Sequence, residues 1–215
     1  MNILLVRHGE TPWNREGRYQ GHTDIPLSEV GETQATALGR RLADQPITRA
    51  VASPLQRAQR TAQLALDSRA SLLTTDRDLI EIAHGDWEGK LTTEIEASHP
   101  ELLLQWRTRP TGNLPAGPNA ETLDQVTTRA WNALARATTG LANDDTLLIV
   151  AHDAVNRCLL CKILGLPLTR VWAFQQAPAT VNALTGPTTD ELQLVRLNDA
   201  SHHASLFSAA THKAL

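Results

Sequence analysis

Cysteine is nearly absent from this 215-residue chain, which carries only Cys158 and Cys161. A disulfide-stapled fold is thereby excluded. The spacing Arg157-Cys-Leu-Leu-Cys-Lys162 would suit a redox pair or half of a zinc site, but both cysteines fall inside an apolar helical pattern and no second pair completes a metal set. They read as small buried hydrophobes. Aromatic residues make up only 4% of the chain, and neither sign of charge dominates, the formal net charge being −3. Nucleic acid and anionic membranes are not expected partners, so any anion site must be local. Long hydrophobic runs are missing too, and Met1-Asn2-Ile3 leads straight into a strand without the basic and apolar stretches of a signal peptide. A cytoplasmic location follows as an expectation.

What the sequence does contain is an alternation. Short apolar runs of strand length occupy residues 2–7, 49–53, 72–75 and 146–151, and between them lie helical patterns. Ser28 is placed to cap a helix carrying Ala35, Leu38 and Leu42. A second helix spans residues 57–66, with Ala58, Ala62 and Ala65 at helical spacing. A third runs over 121–140, its apolar face formed by Leu123, Val126, Ala130, Ala133, Leu134 and Ala137. Residues 179–185 and 191–197 flank a turn-rich connector and predict an antiparallel edge hairpin. The expected fold is three-layer α/β/α, a mostly parallel, mixed sheet of about six strands in a single domain over residues 1–197. Residues 198–215, with His202, His203 and His212, read as a loosely held tail, a metal-binding tail being the alternative. The Pro-, Gly- and Arg-rich stretch 106–119 is too broken for an element; it reads as a flap over a pocket or as a plain surface loop.

Basic residues recur at the strand ends. Arg7 and His8 follow the first strand, Arg57 lies in the first turn of the helix after the strand ending at Ser53, and His152 follows the strand Leu148-Ile149-Val150-Ala151. In a parallel sheet these ends share one edge, where open α/β folds bind ligands. Singly, each is better read as structural; together the four describe an anion site. Phosphate suits it, since planar guanidinium groups grip its oxygens and helix starts add N–H donors. Asn14, Gln20 and Gly21 supply neutral hydrogen bonds.

The string Leu4-Leu5-Val6-Arg7-His8-Gly9-Glu10-Thr11-Pro12-Trp13-Asn14, with Gly17-Arg18-Tyr19-Gln20-Gly21 and Pro26-Leu27-Ser28-Glu29-Val30-Gly31, resembles the amino-terminal signature of the histidine phosphatase superfamily, in its phosphoglycerate-mutase-like branch. Ser53-Pro54-Leu55-Gln56-Arg57, Leu79-Ile80-Glu81 and Ile149-Val150-Ala151-His152 resemble its further motifs in the same order, and the likeness covers about residues 2–197. By that resemblance His8 is the nucleophile, Arg7, Arg57 and His152 hold the phosphoryl oxygens, and Glu81 is the proton donor, its pKa raised by partial burial. The resemblance implies no metal and no cofactor, a small phosphorylated metabolite as the partner, and a homodimer as the assembly.

Within this family the acceptor is either water or a bound sugar acid. Cofactor-dependent mutases carry a much longer segment between the acid-bearing loop and the late helix than residues 89–120 provide here. The implied activity is therefore that of a metal-independent phosphomonoesterase, with a phosphoglycerate mutase as its nearest rival and a non-catalytic phosphate-ester-binding protein as the rival from another class. One departure stands out: where relatives often place small residues after the late histidine, this chain has Asp153, which reads as a helix cap. Glu10 and Thr11 read as loop-shaping, Arg60 as a surface charge, Trp87 as packing, and His22, His84 and His99 as surface or structural. Arg107, Arg109 and Asn113 are placed either to read a carboxylate or second phosphate or to face solvent.

Overall fold

The computed structural model describes residues 1–204, in which six strands form one mixed sheet covered by seven helices. The strands are β1 (Asn2–Arg7), β2 (Ile47–Ala52), β3 (Leu73–Thr75), β4 (Thr146–Ala151), β5 (Val181–Thr185) and β6 (Gln193–Asp199), in spatial order β3-β2-β4-β1-β5-β6. The first four run parallel, whereas β5 pairs antiparallel with both β1 and β6. The predicted fold class and edge hairpin are thus present.

Alternation along the central strands explains the layering. Ile3 and Leu5 of β1 and Leu147 and Ile149 of β4 face one core, which α6 (Leu123–Thr138) and α7 (Asp153–Ile163) cover. Leu4, Val6, Leu148 and Val150 face the other, under α2 (Glu29–Arg41) and α3 (Gln56–Leu66). A strand buried on both faces reads as an unbroken apolar run, as β4 does. Ser28 caps α2, its hydroxyl accepting from Gly31 N–H at 3.1 Å. Short helices α1 (Pro12–Glu16), α4 (Thr92–Ser98) and α5 (Pro100–Thr108) fill the connections. Both cysteines are buried and unbridged in α7, as expected of packing residues.

Two expectations are revised. Trp106 is not part of a broken loop: it ends up fully buried on α5, where the indole Nε1–H of Trp172 donates to its carbonyl at 2.7 Å. The apolar pattern of Leu102, Leu103 and Trp106 outweighs the Pro- and Gly-rich sequence after it. At the other end, β6 continues to Asp199, two residues past the expected boundary, and His203 Nε2–H donates to the Pro178 carbonyl at 3.0 Å. The remainder of the expected tail, residues 205–215 with His212, lies outside the described residues. Among those described, no helix is long and apolar enough to cross a membrane.

Candidate active site

Because β1, β2 and β4 are parallel neighbours, the segments that follow them emerge at one edge of the sheet. His8 N–H continues the β1–β4 ladder by donating to the Ala151 carbonyl at 3.0 Å, and Ala179 N–H donates to the His8 carbonyl at 3.0 Å. The backbone of the buried His8 is therefore fixed by β4 on one side and by the segment leading into β5 on the other. Gly9 allows the chain to pass close beneath α2, since a Cβ there would meet the Gly31 carbonyl oxygen at 2.6 Å. His8 Nδ1 lies 2.7 Å from the Gly9 carbonyl oxygen. A carbonyl only accepts, so Nδ1 carries the proton and Nε2 keeps the ring's lone pair.

Two buried guanidinium groups accompany it. Arg57, in the first turn of α3, donates to the Gly21 carbonyl at 2.8 Å and the Thr23 carbonyl at 2.9 Å. Gly21 can offer that carbonyl because its φ of +54° favours glycine, and a Cβ would strike Glu88. Arg7 donates to the Gln176 carbonyl and lies 3.4 Å from Asp153. Burial holds both below the ordinary arginine range, Arg57 at about 10, while Asp153 partly offsets the effect on Arg7. Both remain cationic at neutral pH. His152 is the residue before α7; its Nε2 lies 2.7 Å from Ser53 Oγ and its ring centroid 5.1 Å from that of His8. Burial, then the positive field of Arg57, pushes its pKa well below the usual value, so it is a neutral ring. Among the described residues, Arg7 Nε, Arg57 Nε, His152 Nδ1 and Asn14 Nδ2 are buried with no hydrogen-bond partner. Buried polar groups normally find partners, so donors left over at one edge mark an anion site.

Glu81 completes the set from a different kind of structure. It lies on an irregular segment after a short 3-10 turn (Arg77–Leu79), with Oε1 accepting from Ile82 N–H at 2.9 Å. Burial, reinforced by Asp153, raises its pKa above the carboxylate range. Arg129 of α6 anchors the segment, donating to the carbonyls of Asp78 and Glu81 at 2.9 Å each and to that of Ile80. The same guanidinium grips Glu121 through two bonds of 2.9 Å, and Glu121 Oε2 in turn accepts from Ala83 N–H at 2.8 Å. His22 Nε2 lies 2.8 Å from the Glu81 carbonyl oxygen and 3.6 Å from Glu121 Oε2. Although burial opposes it, His22 and Arg129 bring Glu121 down to about 2, and Glu121 in turn raises His22.

Arg7, His8, Gln20, Gly21, Arg57 and Glu81 line one cleft, whose wall Arg18, Tyr19, His84 and Ala154 complete. Of the other residues expected at the site, His152 sits beside His8, and Asn14 is buried and shares the Thr11 hydroxyl with Gln20, its Oδ1 accepting from Thr11 N–H at 3.0 Å. Glu10 and Thr11 shape the loop, Glu10 accepting from Ser28 Oγ at 2.8 Å and Thr11 capping α1; Arg60 pairs with Glu32 on the surface. Asp153 does not cap α7. It is the first residue inside the helix, and its carboxylate is taken up by Arg7 and by Arg157 at 3.0 Å. No residue of 106–119 lines the cleft, so the flap reading fails. Arg107 reaches Thr92, Arg109 is exposed, Asn113 accepts from Thr111, and the segment is tied down through Ala116 N–H to the Glu121 carbonyl and Asp124 N–H to the Gly112 carbonyl. Sequence reasoning missed Arg129 and Glu121, and read His84, which proves to be a buried wall residue, only as surface or structural. His84 is buried with its pKa pushed down to about 4, donating from Nδ1 to the Ala116 carbonyl and meeting Tyr19 edge-on at 4.8 Å. No local pattern marks these three, because the backbone groups they hold lie 32 to 51 residues away.

Comparison with known proteins identifies the family. A sequence profile of the histidine phosphatase superfamily (branch 1) matches residues 3–200. The chain is 31% identical over 225 residues to phosphoserine phosphatase 1 of Hydrogenobacter thermophilus, covering 100% of both chains. It is 34% identical over 219 residues to the Yersinia enterocolitica protein named "Probable phosphoglycerate mutase GpmB", covering 90% of this chain and 99% of that one. Mycobacterial glucosyl-3-phosphoglycerate phosphatase, solved with VO3, superposes with a TM-score of 0.83 at 29% identity, covering 92% of this chain and 98% of that one.

Proposed function

Because the chain belongs to the histidine phosphatase superfamily, we propose that it is a phosphatase that hydrolyses small metabolite phosphomonoesters through a phosphohistidine on His8. The observation that carries this reading is the His8 ring. Its Nδ1–H is pinned to the Gly9 carbonyl, so that Nε2 carries the ring's lone pair, and the two buried arginines and a carboxyl with a raised pKa share its cleft. In the first step Nε2 attacks phosphorus, the ester P–O bond breaks, and Glu81 passes its proton to the departing oxygen. In the second, the Glu81 carboxylate takes a proton from water, the hydroxide forms a new P–O bond, the P–N bond breaks and inorganic phosphate leaves. Arg7, Arg57 and the neutral His152 hold the equatorial oxygens, where transition-state charge accumulates, while Asn14, Gln20 and the Gly21 turn steady the loop around them. The cations that neutralise the phosphoryl group are side chains, so the mechanism calls for no metal.

Hydrolysis is favoured over transfer to a bound sugar acid because residues 106–119 pack onto α6 and the 84–87 turn and leave the cleft uncovered. Brief incubation with a 32P-labelled phosphomonoester and alkaline quench should trap acid-labile phosphate on His8. Undiminished turnover by His8→Ala would overturn the mechanism, and interconversion of 3- and 2-phosphoglycerate outpacing hydrolysis would make the protein a mutase. A panel of metabolite phosphomonoesters ranked by kcat/KM assigns the substrate; binding without turnover across the panel would leave only the binding-protein reading.

A further inference from the structure

A buried carboxylate faces the phosphate cradle from behind. Asp153 is only 1% exposed, and its two oxygens are divided between two arginines, Oδ1 lying 3.4 Å from Arg7 Nη1 and Oδ2 3.0 Å from Arg157 Nε. Arg157 has no place in the cleft. It donates to the carbonyls of Val171 and Phe174 and lies over the Trp172 ring at 5.2 Å. A row of alternating charge, Arg7, Asp153, Arg157, therefore runs from the cleft into the protein. Capping does not account for it, and a carboxylate behind an anion site weakens that site, since it repels the dianion that the cradle must hold. Nor does Arg7 depend on Asp153 for its place. The Gln176 carbonyl holds the same Nη1, and Gln176 is itself locked to Asn182 by reciprocal amide bonds of 2.9 and 2.7 Å. What Asp153 adds is charge more than position.

We propose that Asp153 is a built-in counter-charge, acting through Arg7, that lowers the cradle's affinity for phosphate so that the product leaves. The inference rests on the phosphatase reading. Inorganic phosphate presents the same oxygens that the cradle grips in the transition state, so donors strong enough for catalysis also retain the product. Asp153 competes with phosphate for Arg7 and tempers that grip. Arg157 shares the carboxylate and limits how far the tempering goes.

Two variants separate charge from structural damage, read by calorimetric binding of inorganic phosphate and by its inhibition constant in ester hydrolysis. Asp153→Asn keeps the shape and an acceptor oxygen but removes the charge. It should bind phosphate on the order of tenfold more tightly, with KM and kcat falling together as release slows. Arg157→Gln removes the outer cation, so more of the Asp153 charge acts on Arg7 and phosphate should bind about threefold more weakly. Disruption of the fold weakens binding in both variants, so opposite signs are the signature of the counter-charge. Unchanged or weaker phosphate binding by a cooperatively melting Asp153→Asn protein overturns the proposal. Should that variant fail to fold, unchanged or tighter binding by Arg157→Gln overturns it equally. A wild-type protein that binds phosphate but hydrolyses no ester in the panel overturns the phosphatase reading instead, while the two affinities still decide the counter-charge.

Discussion

The phosphate cradle and the acid-bearing arm meet in one cleft but are held in place by different means. Arg7, His8, Arg57 and His152 stand at the ends of parallel strands or in the first turn of a helix, and backbone ladders through Ala151, Thr180 and Val150 fix the chain beneath them. Glu81 stands on a stretch without regular structure, held by side chains reaching in from α6 and from the loop around His22. The comparison teaches that a site can take its charge from a rigid sheet edge while its proton donor hangs from a network that single substitutions can loosen. Binding and proton transfer should accordingly be separable.

The most severe break is at the acid itself. Glu81→Gln keeps size and hydrogen-bonding capacity but can neither give nor take a proton, so kcat should fall on the order of 10²–10⁴-fold. Phosphate affinity should stay near wild type, since the cradle is intact. With an ester of a good leaving group such as p-nitrophenol, the first step needs little help from an acid while the second still needs the base. Phosphohistidine should then accumulate in Glu81→Gln, and its absence under rapid quench would deny Glu81 the second role.

A milder break targets the anchor rather than the acid. Arg129→Met keeps an apolar stem but removes the bonds to three carbonyls of the arm and the grip on Glu121. Losing one partner of this mostly buried pair should destabilise the protein by about 3 kcal/mol, measurable by urea unfolding. A loosened Glu81 should lower kcat about 10- to 100-fold. Phosphate binding should change far less than kcat. A parallel fall in both would show that the cradle and the arm are one mechanical unit.

The same contrast governs how much was legible in the sequence. The cradle could be located because its residues sit at fixed offsets from apolar runs, and a parallel sheet brings such offsets to one edge whatever the intervening length. His8 after β1 and His152 after β4 were found in this way. The arm's anchors were not found, because Arg129 and Glu121 belong to a segment whose pattern announces only an amphipathic helix and its start. Their targets are backbone carbonyls and an N–H, which leave no residue-type signal. Asp153 was seen but misread. A short acidic residue at a helix start suggests a cap, and only the placement of Arg7 and Arg157 on either side shows why a carboxylate is there. The flap failed for a related reason: Pro and Gly in 106–119 correctly announced turns, but the buried Trp106 and Ala116 draw those turns onto the core and away from the cleft.

The smallest effect expected concerns His22, which links the arm to its anchor and titrates. Glu121, held near 2, stays ionised through the whole neutral range and favours the protonated His22, whose folded pKa lies above its ordinary value of 6.5. A raised folded pKa means that the ion pair stabilises the protein fully below pH 6.5 and loses that contribution as pH rises through the folded value. Because the His22 side chain is 42% exposed, solvent screening limits the effect, to about 0.5 kcal/mol. Relative to His22→Gln, the wild-type protein should melt about 1–2 °C higher at acidic pH, with the difference shrinking once the pH exceeds the folded value. A difference that stays constant across that range would show that the neutral hydrogen bond from Nε2–H to the Glu81 carbonyl, rather than the charge, ties His22 to the arm.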